Sequence, residues 1–257
     1  EWKMSVILFK NLSLNFTYSI KMQNFMKTKI LAAFVLLSSL SALPHMSFAQ
    51  EQATAEELKL RQDQVTYKAY IPAKYHLFEA IEGDLNKDGV KDVVLVVKAT
   101  DPSAFFEHEY RGRLDRNRRG IILLINEKGK YQPIVSNLSC FSSENEDGGV
   151  YFPPELWIEI KNNLLNVHYG HGRYGFWRYL FRLEGNDLRL IGYDDSSNHG
   201  PLIQSQTSIN FLTAKKVIRD NLNQDPEDEP KFKETWSKLN QAPIYLSKIK
   251  DFDDLSF

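Results

Sequence analysis

Apolar and polar residues alternate along most of the chain after residue 65, and short polar turns separate the alternating runs. A period of two residues is typical of a half-buried β-strand, and Gly or Asn between two such runs marks a hairpin. Three hairpins are predicted, with turns at 127–130, at Asn162-Asn163 and at Gly185-Asn186. The remaining strand-like runs lie at 76–83, 92–99, 208–220 and 231–239. Because a hairpin joins antiparallel neighbours, this pattern predicts an antiparallel sheet.

The predicted fold class is all-β, an antiparallel meander in one domain that spans residues 69–257. Residues 50–68 are polar and rich in good helix formers, so this segment is predicted to be helical or disordered. Residues 243–249 are predicted to add a closing strand, and long loops are expected at 99–120 and 139–155. A barrel, a sandwich and a propeller-like sheet all remain open. A complete propeller is disfavoured because repeated blades leave internal repeats, which this chain shows only weakly.

Residues 26–49 are predicted to be a secretory signal peptide. Two lysines precede an apolar run, and the segment ends in Ser47-Phe48-Ala49, with small residues at the positions that a signal peptidase reads. The apolar run is too short for a membrane span. Cleavage after Ala49 predicts a periplasmic or secreted protein. Residues 1–25, which start without Met, are interpreted as an untranslated upstream extension, and the alternative is a real N-terminal tail.

Charge and cysteine usage narrow the class of protein. The chain has 32 basic and 33 acidic residues, and residues 1–49 hold five lysines and Glu1. The predicted mature chain therefore carries 27 basic and 32 acidic residues, a net charge of −5, which argues against general nucleic-acid binding. Cys140 is the only cysteine, so no internal disulfide can form. It is predicted to be a buried, inert thiol.

The stretch Gly83–Asp92, GDLNKDGVKD, has the composition of a calcium loop. Alternate residues of a tight loop can direct oxygen ligands at one centre, and Ca²⁺ takes six to eight such hard ligands. The predicted ligands are the side chains of Asp84, Asn86, Asp88 and Asp92 and the carbonyl of Val90. The alternative is a β-turn rich in Asp and Asn that binds nothing, because these residues favour turns on their own account.

The short D-x-N-x-D-G-x-x-D form, with strands on both sides, resembles the loops of the FG-GAP (integrin α-type) and VCBS-like repeats. The resemblance covers residues 78–98, and Leu95 at the twelfth position excludes an EF-hand, which needs Glu there. It implies structural calcium bound between two strands of a β-meander, with Asp84, Asn86, Asp88, Val90 and Asp92 as ligands. A single loop of this kind is expected to bind with a Kd on the order of 10⁻⁴ to 10⁻³ M.

Five arginines lie between Arg111 and Arg119, in EYRGRLDRNRRG. The guanidinium group fits carboxylates and phosphates, so this segment is a candidate surface for binding another protein. The alternative is a solvated loop in which Glu107, Glu109 and Asp115 balance the charge.

A second candidate cluster combines His168, His171, Asp194 and His199, which a fold could bring into one metal or substrate site. The alternative is a loop between strands with aromatic packing, because only two of these histidines are close in sequence. No nucleophile elbow and no phosphate-binding loop occurs in the chain.

The sequence therefore predicts one of two functions. The first is a non-enzymatic, exported β-domain with one structural calcium loop, of the binding or inhibitor/immunity type. The second is an exported hydrolase that uses the His/Asp cluster.

Overall fold

The computed structural model describes residues 53–146 and 153–257. The predicted signal peptide at 26–49 and the upstream residues 1–25 lie outside these ranges. Within them, no helix is both long enough and apolar enough to cross a membrane.

The described residues form one α-helix, several short 3-10 turns and a series of β-strands. The helix is α1 (Ala55–Thr66), and the strands are β1 (Tyr75–Gly83), β2 (Asp92–Ala99), β3 (Phe105–His108), β4 (Gly112–Asp115), β5 (Arg119–Glu127), β6 (Lys130–Phe141), β7 (Glu155–Lys161), β8 (Leu164–Gly170), β9 (Gly175–Glu184), β10 (Asp187–His199), β11 (Leu202–Asn210), β12 (Lys215–Asn221) and β13 (Phe232–Lys238). Every pair of neighbouring strands is antiparallel. The predicted all-β antiparallel class is confirmed.

The N-terminal segment contains a helix with a complete capping box. The side chain of Thr54 accepts a hydrogen bond from the backbone N–H of Glu57, and the Glu57 carboxylate accepts one from the backbone N–H of Thr54. This reciprocal arrangement satisfies two backbone donors that a helix start otherwise leaves without partners. Of the two predicted states for residues 50–68, the helical one is therefore found over Ala55–Thr66.

The first sheet has the strand order β1-β2-β5-β6. Its strand β2 is an unbroken apolar run and is buried on both faces. Val93, Leu95 and Val97 pack with Tyr67 and with other residues on the α1 side of the sheet. The alternate residues of β2 belong to a second and larger core on the opposite face. A strand covered on both faces reads as a continuous apolar run, as β2 does.

The second sheet has seven strands in the order β13-β12-β11-β10-β9-β8-β7, so each strand pairs with its neighbours in sequence. The three predicted hairpins are confirmed, with turns between β5 and β6, between β7 and β8 and between β9 and β10. Asn162 and Asn163 have φ angles of 53° and 60°. Two successive residues in the left-handed region form the tight turn whose twist matches the flanking strands, and Asn tolerates that conformation.

The two sheets pack against a shared core. Val94, Val96 and Ile121 of the first sheet join Val167 and Phe181 of the second in one buried cluster. The two sheets approach each other closely where β1 meets β7, because a Cβ atom at Gly83 would lie 2.4 Å from Cγ2 of Ile160. Among the architectures that the sequence left open, the described residues therefore form a sandwich of two antiparallel sheets.

Two segments differ from their predicted form. The expected loop at 99–120 contains the hairpin of β3 and β4 and a 3-10 turn at Pro102–Ala104. The expected closing strand at 243–249 makes one isolated bridge, Arg189 to Tyr245, and then a 3-10 turn at Leu246–Lys248. Leu246 and Ile249 are both buried, and their spacing of three residues places them on the same face of a 3-10 turn but on opposite faces of a strand.

Candidate functional site

The loop between β1 and β2 is organised by the side chains of its own Asp and Asn residues. Asp84 Oδ1 accepts a hydrogen bond of 2.6 Å from the backbone N–H of Lys87, and Asp84 Oδ2 accepts one of 3.1 Å from that of Gly89. Lys87 and Gly89 have φ angles of 67° and 83°, so the chain turns sharply at both positions. Glycine reaches this region without the steric cost that a Cβ atom imposes.

The pattern continues along alternate residues. Asn86 Oδ1 accepts a bond of 3.0 Å from the backbone N–H of Asp88, and Asp88 Oδ1 accepts one of 2.7 Å from that of Val90. Asn86 Nδ2 also donates to Asp88 Oδ2 at 3.0 Å. Three side chains therefore curl over one short stretch of backbone, and each accepts hydrogen bonds from the backbone N–H groups of the loop.

Asp92 has a different role. Its side chain is completely buried. Its Oδ2 accepts hydrogen bonds from the backbone N–H groups of Leu85 and Asn86 at 2.8 and 3.3 Å, and its Oδ1 accepts one from that of Asn126 at 2.9 Å. Hydrogen bonds to a charged acceptor are stronger than neutral ones. One carboxylate therefore fastens the start of the loop, the start of β2 and the end of β5 to each other.

The loop is also fastened to the second sheet. Asn163 Nδ2, in the turn between β7 and β8, donates a hydrogen bond of 2.8 Å to the carbonyl of Asp84. Leu85 is 2% exposed and belongs to the core that the two sheets share. The loop is thus anchored by backbone, polar and apolar contacts from three directions.

The donor set of this loop fits calcium in its chemistry. Asp84, Asn86 and Asp88 present side-chain oxygens on alternate residues, and the carbonyl of Val90 adds another hard ligand. Each oxygen that accepts an N–H keeps a second lone pair. Across residues 53–146 and 153–257, no group of three or more His, Cys, Asp or Glu residues is placed to hold a metal ion. Any site here therefore relies on amide and carbonyl oxygens as well as on Asp84 and Asp88.

The arginine-rich segment divides into two parts. Arg118 and Arg119 are part of the framework: Arg118 Nη2 lies 2.7 Å from Asp251 Oδ2, and the Arg119 side chain is buried with its Nε donating to the Ser142 carbonyl at 2.9 Å. The other three arginines lie on or beside the β3–β4 hairpin. The sequence alone did not separate these two groups.

The β3–β4 hairpin also carries three exposed aromatic rings that the sequence interpretation did not single out. Phe105, Phe106 and Tyr110 are 40%, 46% and 84% exposed. The guanidinium carbon of Arg113 lies 4.3 Å from the centre of the Phe105 ring, and that of Arg116 lies 4.5 Å from the centre of the Phe106 ring. We call Phe105, Phe106, Tyr110, Arg111, Arg113 and Arg116, which lie on both faces of this two-stranded hairpin, the hairpin surface.

The hairpin is fixed at its tip and at its root. At the tip, His108 Nδ1 accepts hydrogen bonds from the backbone N–H groups of Tyr110 and Arg111 at 3.1 and 3.2 Å. At the root, Lys98 is 3% exposed and lies 3.0 Å from Asp115 Oδ2. Partial burial acts to raise the pKa of Asp115, but hydrogen bonds from Asn117 and Lys98 outweigh it and hold that pKa below its ordinary value.

The His/Asp cluster does not assemble as one site. His168 stacks on Phe176 with ring centres 5.4 Å apart, and its pKa is lowered by burial and then by the charge of Arg178. Asp194 is paired with Arg178 at 2.6 Å and accepts a hydrogen bond from Ser208 at 2.7 Å. Arg178 on β9 is the register partner of both His168 on β8 and Asp194 on β10. The strands that carry His168 and Asp194 are therefore two strand spacings apart, roughly 9–10 Å.

The other two histidines are placed elsewhere. His171 precedes the 3-10 turn at Gly172–Tyr174, and His199 is the last residue of β10. The ring of His171 makes an edge contact with that of Trp177, with centres 6.4 Å apart. His171 therefore packs against an aromatic ring, as the alternative interpretation of the sequence expected, whereas His199 is exposed.

Comparison of the chain with models of protein families, with curated proteins and with solved structures finds no match.

Proposed function

We propose that this chain is an exported, non-enzymatic binding protein of the inhibitor or immunity type, which contacts an acidic partner protein through the hairpin surface. The observation that carries the proposal is the combination of exposed aromatic rings and arginines on one hairpin. Tyr, Trp and Arg are the residues most enriched among those that dominate the affinity of protein interfaces.

The pairing of rings with guanidinium groups supports this role. Arg113 and Arg116 lie over Phe105 and Phe106, which restricts the arginine side chains before a partner arrives. Binding then costs less side-chain entropy than it would with free arginine side chains. A guanidinium group held over a ring can still donate hydrogen bonds from its edge to a carboxylate of the partner.

The rigid mounting of the hairpin supports the same role. Asn117 Nδ2 donates to Asp115 Oδ1 at 2.7 Å and to the Asp101 carbonyl at 3.1 Å, so the chain entering the hairpin is tied to the chain leaving it. Lys98 adds ion pairs to Asp115 and Glu144 at the same place. A contact surface on a fixed support loses little conformational freedom on binding.

Calcium in the loop between β1 and β2 is the second part of the proposal, on the strength of the donor set and of the resemblance to FG-GAP and VCBS-like loops. Asp84, Asn86, Asp88 and the carbonyl of Val90 would hold the ion, whose charge would offset the repulsion between the Asp84 and Asp88 carboxylates. The Asp92 carboxylate would support this loop through the hydrogen bonds that it accepts from the backbone N–H groups of Leu85 and Asn86. The ion's role is structural, because it would fix the junction between two strands.

The test of the hairpin surface compares capture by three proteins. The parent, the double variant Tyr110→Ser/Arg113→Glu and the control Trp236→Ser/Arg61→Glu are immobilised and exposed to the exported fraction of the host. Trp236 is 56% exposed on β13 and Arg61 is exposed on α1, so neither control position belongs to the hairpin. We expect the parent and the control to recover the same partner, and the hairpin variant to lose it.

The partner recovered by the parent is also expected to dissociate as salt is raised, because exposed charge pairs are screened over about 8–10 Å. Unfolding of all three proteins is measured alongside, so that a loss of binding is not confused with a loss of folding. Equal recovery of one partner by the parent and the hairpin variant would overturn the proposal.

A further inference from the structure

A cavity of about 380 Å³ lies on the inner face of the seven-stranded sheet. Strands β8, β9 and β10, the C-terminal tail, Ser142 and Glu146 after β6, and Pro153 and Pro154 before β7 contribute to its wall. The described lining residues are Ser142, Glu146, Pro153, Pro154, Tyr169, Trp177, Tyr179, Tyr193, Phe252, Asp253 and Leu255. Its volume is within the range of small-molecule sites.

Four aromatic rings form a preorganised wall of this cavity. Tyr169 and Trp177 are register partners on β8 and β9, and their rings stack with centres 5.5 Å apart and an angle of 17°. Tyr179 and Tyr193 are register partners on β9 and β10, with ring centres 5.2 Å apart. Because Tyr169 and Tyr179 are 1% and 2% exposed, the positions of these rings are set by the core of the sandwich.

One hydroxyl in this wall has no partner. Tyr179 donates its hydroxyl to the Phe252 carbonyl at 3.2 Å. The hydroxyl of Tyr169 is buried and makes no hydrogen bond among the described residues. Buried polar groups in folded proteins are almost always paired, so this one indicates a group that the described residues do not supply.

The charges around the cavity leave a carboxylate uncompensated. Arg118 is paired with Asp251, and Lys98 is paired with Glu144 and Asp115. Glu146 and Asp253 remain on the cavity wall, and the described lining contains no Lys or Arg. Arg119 is buried, its Nε donates to the Ser142 carbonyl, and its charge acts on both Asp253 and Glu146.

The electrostatics of Asp253 agree with this imbalance. Partial burial raises the pKa of Asp253, the neighbouring charge of Asp251 raises it further, and a hydrogen bond from Ser142 opposes the rise. Tyr169 and Asp253 both line this cavity, so the unpaired hydroxyl and the partly buried carboxylate belong to one site. A positive ligand would relieve the carboxylate.

We propose that this cavity binds a primary ammonium group, which donates hydrogen bonds to the Asp253 carboxylate and to the Tyr169 hydroxyl while its alkyl chain lies against the aromatic rings. Rings with an adjacent carboxylate attract organic cations through the negative faces of the rings and through direct charge. A quaternary ammonium has no N–H to donate, so it leaves the Tyr169 hydroxyl without a partner. The ammonium can come from a free amine or from a lysine side chain of another protein. This proposal is independent of the hairpin surface.

The experiment is a calorimetric titration of the protein with n-butylammonium and with tetramethylammonium. Saturable binding of n-butylammonium is expected, with weaker binding of tetramethylammonium. Asp253→Asn, which keeps the shape of the side chain, is expected to weaken the binding of n-butylammonium by about tenfold or more, because it removes a charged hydrogen bond. Tyr169→Phe is expected to weaken it by about threefold to tenfold and to reduce the preference over tetramethylammonium.

Asp220→Asn, an exposed aspartate on β12, is the matched control and is expected to bind as the parent does. Titration with N-acetyl-lysine-methylamide separates the two sources. Tighter binding than that of n-butylammonium assigns the site to lysine side chains, and weaker binding assigns it to free amines. No saturable binding of either amine, an unchanged affinity in folded Asp253→Asn, or saturation by a neutral sugar but not by the amines would overturn the proposal.

Discussion

Asp92 Oδ1 accepts a hydrogen bond of 2.9 Å from the backbone N–H of Asn126, although 34 residues separate the two in sequence. Asp92 is the first residue of β2, and Asn126 is near the end of β5. Asn126 Nδ2 in turn donates to the Lys91 carbonyl at 3.2 Å. A loop that by composition resembles a calcium site is therefore also a polar joint of the first sheet.

The first prediction concerns that joint. Asp92→Ala leaves the backbone N–H groups of Leu85, Asn86 and Asn126 without their acceptor. Leaving a buried donor unpaired costs roughly 1–3 kcal/mol, so we expect a total loss of about 3–5 kcal/mol in the free energy of unfolding. Urea denaturation measures it.

Asp88→Ala is the matched comparison, because Asp88 is exposed and its bonds lie within the loop. In calcium-free buffer it is expected to cost about 1 kcal/mol or less. Similar losses for the two variants would show that Asp92 is not the anchor.

The second prediction concerns calcium. A ligand that binds only the folded state stabilises it by RT ln(1 + [L]/Kd), which is about 1.4 kcal/mol at a tenfold excess over Kd. A few millimolar calcium is therefore expected to raise the melting temperature of the parent. Asp88→Ala is expected to abolish the rise, because it removes a charged ligand from the donor set. An unchanged melting temperature in the parent would exclude a calcium site of the expected affinity.

The third prediction separates the framework arginines from the hairpin surface. Arg118→Glu places a carboxylate beside Asp251 and removes the hydrogen bond to the Ser139 carbonyl. We expect it to destabilise the protein by about 1 kcal/mol, since the pair is partly exposed and solvent screens it. Arg113→Glu is expected to stay within about 0.5 kcal/mol of the parent. Chemical denaturation of the two variants measures these losses. A larger loss for Arg113→Glu than for Arg118→Glu would contradict this assignment.

The fourth prediction uses the buried thiol of Cys140. Burial raises its pKa to about 12. The unfolded chain loses this proton near pH 8.5, whereas the folded chain keeps it, so the unfolded state binds fewer protons between these values. Stability is therefore expected to fall with a slope of about 1.4 kcal/mol per pH unit from this group above pH 8.5.

Cys140→Ala is expected to be less stable than the parent, because it leaves a cavity. Between about pH 8.5 and 9.5, its free energy of unfolding is expected to lack the fall with pH that the thiol causes in the parent. Denaturation of the parent and the variant across this range measures the difference. Reaction of the parent with a thiol reagent at pH 8 gives an independent check. Rapid labelling of the native protein would contradict the burial on which the prediction rests.

Much of the fold could be predicted because its signals are local. Asn162-Asn163 and Gly185-Asn186 mark turns by their own conformational preferences, and the unbroken apolar run of β2 marks a strand buried on both faces. The hairpin of β3 and β4 gave a weaker signal, because strands of four residues are too short to establish a period. Its aromatic residues were visible in the sequence, but their exposure was not.

The sites were harder to predict because they depend on distant partners. The pattern of Asp84, Asn86 and Asp88 was readable, and these side chains do curl over one loop. The attachment of Asp92 to Asn126 was not readable, because nothing near either residue specifies the other. The cavity at Tyr169 likewise needs three strands and the C-terminal tail to meet, which is a property of the folded sandwich.

The hairpin surface lies within an insertion whose two ends meet. The backbone N–H of Ala99 donates to the Arg118 carbonyl at 3.1 Å, and Lys98 pairs with Arg119 across β2 and β5. Strands β2 and β5 are therefore paired up to the residue where the chain leaves the first sheet for the hairpin and from the residue where it returns. Lengthening such an excursion costs only loop-closure entropy, about 0.6 kcal/mol for each doubling of its length. In evolutionary terms, the hairpin can change its length and its sequence, and with them the surface that it presents, while the sandwich that carries it stays the same.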